Sequence, residues 1–475
     1  MDNVLLGLSR YVLPFLIALY ALNGFLPTPP YMQTLLLMLF HLGGFTVLSI
    51  RMDIPALPYA CMLELLIFIG ILILWRVLYP KADQLILNHC CMFLSIGSLM
   101  ICRLSWDRFF RQLLISGISL CLCLMIPLIM LKFKNLRRFT WTYGLSGILL
   151  LSIVMAAGAV SRGARLSWTI AGVTFQPSEF VKIIFVFYVA GMLSPLMSKL
   201  SPDEILMHNA SRRRLISATL VSGAHILILV LSRDLGSALI FFIVYAMMLY
   251  AALRSGWVLV LAALGGSMAA VLGYQFFSHV RTRVLAWRDP FSYIDGQGYQ
   301  ITQSLFAIGT GGWFGMGLNM GSPDKIPIAA QDFIFSAIAE ELGSLSALCL
   351  ILICISTFLL FMNIAMSTKE AYYKLVALGL SVTYIFQVFL TLGGVTKFIP
   401  LTGVTLPLVS YGGSSILSML IIFSLIQGIY LRRMEEKTAP FPERYRPRQG
   451  IQGNARKEKN SYANGKGRKK QRSQA

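Results

Sequence analysis

The chain has 475 residues, 56% of them hydrophobic and only 13% charged, with a formal net charge of +21. Soluble globular chains carry about 25% charged residues, so this composition excludes a soluble multidomain protein. The apolar residues form blocks of about 16–25, each able to cross a hydrocarbon core of about 30 Å as a helix, and they lack the alternation of a membrane barrel.

In chain order the blocks predict thirteen spanning helices, at 11–26, 32–50, 58–79, 85–104, 112–131, 142–160, 179–196, 215–232, 236–253, 257–277, 334–361, 372–396 and 414–431. The first block lacks a basic leader and a small-residue cleavage site, so it reads as a span and not a removable signal. The eight cysteines lie in or beside the blocks, which argues against an extracellular disulfide framework. His89-Cys90-Cys91 has no second ligand pair and reads as buried helix, so no metal site is assigned.

Loop charge orients the bundle. Lys132, Lys134, Arg137 and Arg138 precede the sixth span, Arg212–Arg214 precede the eighth, and Lys369 and Lys374 lie near the start of the twelfth. With alternating spans these basic groups share one side with the tail, and that side is expected to be cytoplasmic. From Arg432 onward the tail holds 14 Lys/Arg against 4 Asp/Glu in a Gly-, Asn-, Pro- and Ser-rich segment. It reads as disordered and near anionic lipid, with no nucleic-acid partner. Segments 161–178, 233–235, 278–333 and 397–413 then face outside.

Those four segments hold polar residues that a lipid-facing bundle does not need. In the first, Pro177-Ser178 marks a helix start, and Glu179 and Lys182 share a helix face and can pair. In the second, Asp234 of Ser232-Arg233-Asp234 is either a helix cap or a site residue. The third is a long segment with Arg281, Arg283, Gly298-Tyr299-Gln300 and a glycine run from Gly309 to Gly317. No strand precedes those glycines, so they are not a nucleotide fingerprint; they suit tight turns beside a ligand or the membrane surface. It ends in Asp332-Phe-Ile-Phe and Glu340-Glu341-Leu-Gly343. Asp332 stands at a helix start as a cap or a functional carboxylate. Glu340 lies about 12 Å deeper, as an interhelical partner or a functional group. The fourth, Pro400 to Ser415, has two prolines and three glycines and reads as non-helical, either a connector or a re-entrant loop.

Together, FQPSEFVK, DLGSAL, DPF…GYQ…QSL, DFIF…EELG and TLPLVSYGGSS resemble the SEDS family (shape, elongation, division and sporulation), which includes FtsW, RodA and SpoVE. The match runs from about residue 85 to 431. The resemblance implies an all-α polytopic membrane fold. It would have about three extra N-terminal transmembrane helices (1–80), a ten-helix glycosyltransferase core (81–431) with a large extracellular loop, and a basic cytoplasmic tail (432–475). It further implies a bacterial membrane enzyme that polymerises lipid II, with a class B penicillin-binding protein (a transpeptidase) and other cell-wall machinery as partners. The role would lie in division, elongation or sporulation, and need for a divalent cation is left open.

The family's catalytic carboxylate falls at Asp332. Substrate contacts are expected at Arg165, Glu179, Lys182, Asp234, Arg283, Glu340, Lys397 and Ser410, the cations meeting the departing pyrophosphate. The donor bond is α and the product β, so one inverting displacement with one base suffices. The chain departs from the family at Ala330-Gln331, at Ser232-Arg233 before Asp234, at Thr391, in the shifted Arg165, and in lacking an acidic residue within Ile326–Ala330. A lipid II translocase and a non-catalytic scaffold are the competing readings.

Overall fold

The computed structural model describes residues 2–133, 135–161, 164–170, 173–197 and 208–438. The described residues from Asp2 to Arg433 belong to one compact unit, and the chain divides after Arg433. The tail expected to be disordered lies, from residue 439, outside the described residues.

Helices dominate. They are α1 (Asp2–Asn23), α2 (Pro30–Arg51), α3 (Leu57–Leu78), α4 (Gln84–Leu104), α5 (Trp106–Cys123), α6 (Met125–Lys132) and α7 (Thr140–Ala157). After a small sheet come α8 (Ser178–Leu193), α9 (Asn209–Leu231), α10 (Leu235–Leu253), α11 (Trp257–Phe276), α12 (Ser278–Arg288) and α13 (Tyr299–Gly311). The chain continues through α14 (Ile334–Ser367), α15 (Ala371–Val395) and α16 (Gly413–Thr438). Among the described residues twelve helical stretches are long and apolar enough to cross a membrane, where the sequence predicted thirteen. The difference is α1, whose described apolar part, Gly7–Asn23, is shorter.

Local chemistry sets the helix boundaries. α2 opens on Pro30, whose missing N–H costs nothing in a first turn. Asp83 caps α4, its carboxylate accepting from Leu85 N at 2.9 Å. Burial then separates central from peripheral helices: 94% of the apolar window of α4 is covered inside the protein, and none of that of α11. A helix covered on all sides must satisfy its polar groups internally, whereas α11 offers its apolar surface to lipid.

Two features depart from a plain helical bundle. Residues expected at the end of a span and in the loop after it form a three-stranded antiparallel sheet, β1 (Ala159–Ser161), β2 (Ala164–Ile170) and β3 (Val173–Phe175). The β-branched and aromatic residues of β2 and β3 explain it, with Trp168 opposite Phe175 and Ile170 opposite Val173. The second feature is a break in α14 at Gly343, where φ is 86° and ψ 164°. A break strands backbone donors and acceptors. Residues 312–317 take them up: Met316 N and Gly317 N donate to the carbonyls of Glu340 and Glu341 at 2.8 and 3.0 Å, while Ser344 N donates to Gly312 O at 2.8 Å. A Cβ at Gly343 would collide with the Trp313 carbonyl and the Gly315 nitrogen. The glycine run therefore docks on a broken helix.

Candidate active site

At one end of the bundle a cavity of about 750 Å³ opens among the starts of α8 and α10, α12, the segment before α14, and residues 401–415. Glu179, Asp234, Arg283 and Asp332, widely separated in sequence, all line it.

Asp332 sits on a fixed backbone. Tyr411 N donates to Ala330 O at 2.7 Å, and the Ser410 hydroxyl donates to Gln331 O at 2.5 Å while accepting from Leu406 N at 2.9 Å. The segment turns at Ile328, whose φ of 62° is rare for a β-branched residue and marks stored strain. Asp332 is 8% exposed. The helix that follows has Phe333 at its N-cap position, with no side-chain cap from that residue.

Arg283 faces the same space from α12. Its Nη1 donates to Thr402 O at 3.2 Å. Gly403, at φ 76°, lies between the two groups: a Cβ there would stand 3.9 Å from both Arg283 Nη2 and Asp332 Oδ2. Burial pushes the Arg283 pKa down, while Asp234 and Asp332 pull it up, and guanidinium stays charged throughout the accessible range.

Asp234 does two things at once. Oδ1 accepts from Ser237 N at 3.1 Å, capping α10, and Oδ2 accepts from the Ser178 hydroxyl at 3.1 Å and from Gln176 Nε2 at 3.4 Å. Burial raises its pKa, opposed by the Ser237 and Ser178 hydrogen bonds. Below it, Glu179 and Lys182 form the expected pair at 2.6 Å. Lys182 also donates to Gln387 Oε1 at 2.7 Å, and the Ser418 hydroxyl donates to Glu179 Oε2 at 2.8 Å. Lys182 is thus committed to the floor of the cavity and does not line it.

Three other expected contacts sit elsewhere. Glu340 Oε1 accepts from Ser322 N at 2.8 Å, holding the 312–324 loop. Lys397, at φ 61°, presents its carbonyl to Trp287 Nε1 at 3.0 Å, outside the cavity lining. Ser410 is 1% exposed and spends its hydroxyl clamping Gln331. None of the three is among the residues that line the cavity. Arg165 lies in β2, paired with Val160, and its side chain is outside the described residues.

Arg111 and Arg233 also line the cavity and were not among the predicted site residues. Arg111 lay just before the predicted 112–131 span. Starting the helix at Trp106, as the structure does, would have put Arg108 and Arg111 three apart on one face. Among the described residues no cluster of three or more His, Cys, Asp or Glu could hold a metal ion.

The family model described as cell cycle protein, FtsW/RodA/SpoVE, matches residues 56–435, taking in α3 ahead of the expected core boundary. The peptidoglycan glycosyltransferase RodA of Mycobacterium tuberculosis (strain H37Rv) is 32% identical over 370 residues, covering 74% of this chain and 78% of the relative. Stage V sporulation protein E of Bacillus subtilis (strain 168) is 30% identical over 372 residues, covering 73% and 96%. Among solved structures, a chain of a peptidoglycan synthase complex that coordinates polymerization and crosslinking superposes with a TM-score of 0.62 at 22% identity, covering 74% of this chain and 98% of that one. Thermus thermophilus RodA gives a TM-score of 0.53 at 21% identity, covering 74% and 96%.

Proposed function

The chain belongs to the FtsW/RodA/SpoVE family, and on that premise we propose that it is a peptidoglycan glycosyltransferase that polymerises lipid II, with Asp332 as its base. One observation carries the residue assignment: a carboxylate on a rigid segment and a guanidinium flank the same glycine at the wall of a membrane-edge cavity.

The chemistry follows from the groups present. Asp332 accepts the proton of the incoming 4-hydroxyl as that oxygen attacks the anomeric carbon of the donor, and the diphosphate leaves from the opposite face in one inverting step. The departing diphosphate gathers negative charge, which Arg283, with Arg111 and Arg233 also lining the cavity, can meet. Gly403 keeps the space between base and cation open. The Glu179–Lys182–Gln387 network fixes the floor, and Gln387 Nε2 in turn holds Thr405 O at 3.0 Å.

The cavity faces outward in this reading, because with alternating spans the basic groups Arg137, Arg138 and Arg212–Arg214 fall at the opposite helix ends, on the cytoplasmic side. It sits at the bacterial cell membrane, where lipid-linked substrates reach it laterally. A crosslinking transpeptidase of the class B penicillin-binding type is the partner that such a polymer requires; the synthase complex among the structural neighbours supports this. The test is to supply lipid II to the purified protein with its partner. Glycan polymer is the expected product; movement of lipid II across liposomes without polymer would support a translocase instead.

A further inference from the structure

Helices α1–α3 are not an appendage to the core. The central helix α4 carries Asn88, His89, Ser95 and Ser98, and each is bonded to one of these three helices. The Asn88 carboxamide accepts from the Thr34 hydroxyl at 3.1 Å, and His89 Nδ1 meets the Tyr20 hydroxyl at 3.0 Å. His41 Nδ1 meets the Ser95 hydroxyl at 3.0 Å, and the Ser98 hydroxyl donates to Glu64 Oε1 at 2.5 Å. Such groups in an apolar interior favour one docking geometry, because any other leaves them unbonded.

That fixed docking has a reach beyond the membrane-spanning part. Arg51, at the last residue of α2, donates from Nη1 to the Leu318 carbonyl at 2.7 Å. Tyr11 of α1 packs edge-on against Phe314, with ring centroids 5.3 Å apart. Both contacts land on the 312–324 loop. From the core side Arg103 reaches the same loop, bonding Gly321 O at 3.2 Å and Asp324 at 3.0 Å while paired with Glu341 at 2.8 Å. Glu341 Oε2 accepts from Asn319 N at 2.9 Å. The loop leads directly into Ile326–Gln331 and so into Asp332.

We propose that α1–α3 brace the catalytic segment, with Arg51 as the positioning residue that ties α2 to the loop leading into Asp332. Arg51 touches no substrate; it acts through Leu318. A charge-assisted hydrogen bond to a carbonyl is among the stronger single contacts, and small displacements of a reacting group lower turnover steeply. The proposal rests on the reading of Asp332 as base, and its test separates the two.

The test compares full-length wild type, Arg51→Ala, Arg51→Lys and Tyr11→Leu, each purified with its partner. Amide hydrogen exchange at residues 312–325 needs no activity; it should quicken in Arg51→Ala, less in Tyr11→Leu, and return toward wild type in Arg51→Lys. Lipid II turnover should fall by about threefold to tenfold in Arg51→Ala with KM little changed, and recover in part in Arg51→Lys. Unchanged exchange in both Arg51→Ala and Tyr11→Leu would overturn the brace. Faster exchange with wild-type turnover would overturn the positioning role. A wild type that makes no polymer yet shows the exchange pattern would count against the enzymatic reading and leave the brace standing.

Discussion

Lys182 and Glu179 form a buried ion pair at 2.6 Å, and the same lysine nitrogen reaches Gln387 on α15 at 2.7 Å. The pair therefore joins α8, α15 and, through Ser418, α16 at the floor of the cavity. Burying two charges is costly, and the arrangement holds only because both partners are present with their extra hydrogen bonds. Lys182→Met leaves a carboxylate without its cation and is expected to destabilise the protein by about 3–5 kcal/mol. Lys182→Met combined with Glu179→Gln should recover a large part of that loss. Thermal unfolding in detergent measures both, and a double variant no more stable than the single would contradict the pairing.

Gly343 tests the broken helix. Its φ of 86° with ψ of 164° belongs to a region open almost only to glycine, and a Cβ there meets the Trp313 carbonyl. Gly343→Ala should cost about 2–3 kcal/mol, from strain and from displacing residues 312–317. Hydrogen exchange would show Met316 and Gly317 losing protection before the bundle as a whole. Full protection at those amides would mean that the docked segment does not depend on the break.

Asp234 predicts a pH dependence. Burial raises its folded-state pKa above the ordinary carboxylate value of 3.8. Below that value the group is protonated in both folded and unfolded chains and adds nothing. As pH rises from 3.8 through the raised folded value, the unfolded chain gives up its proton first, so this group costs stability progressively and then levels off. Asp234→Asn keeps an oxygen to accept from Ser237 N and removes that cost. The stability of Asp234→Asn relative to wild type should therefore improve as pH rises through that window. Unfolding midpoints of the two proteins at a series of pH values would show it, and parallel curves would contradict it.

Much of the site was legible because the chemistry lies in short, spaced stretches. Glu179 and Lys182 are three apart at a proline-marked helix start, so their pairing follows from helical geometry alone. Asp234 was readable as a cap for the same local reason, but its second oxygen on Ser178 joins segments 56 residues apart, which no local pattern encodes. Glu340 was read as a site residue because an acidic residue deep in an apolar helix suggests function by default, and it is not among the residues that line the cavity. Its partner is the backbone amide of Ser322, 18 residues earlier in the chain, which no local pattern encodes. The sheet at 159–175 was missed because its strands were read as a span end and a loop, although Trp168, Ile170, Val173 and Phe175 carry strand chemistry. The docking of α1–α3 was out of reach, since its partners are single polar residues on separate helices.

The central claim is that Asp332 takes the proton in glycan polymerisation. Asp332→Asn removes the basic oxygen while keeping shape, so the fold is expected to survive. Polymer formation from lipid II, measured for wild type and Asp332→Asn at equal amounts of folded protein, is the most direct test. Asp332→Asn should make no detectable polymer while wild type makes long chains. Polymer from Asp332→Asn at the wild-type rate would contradict the assignment.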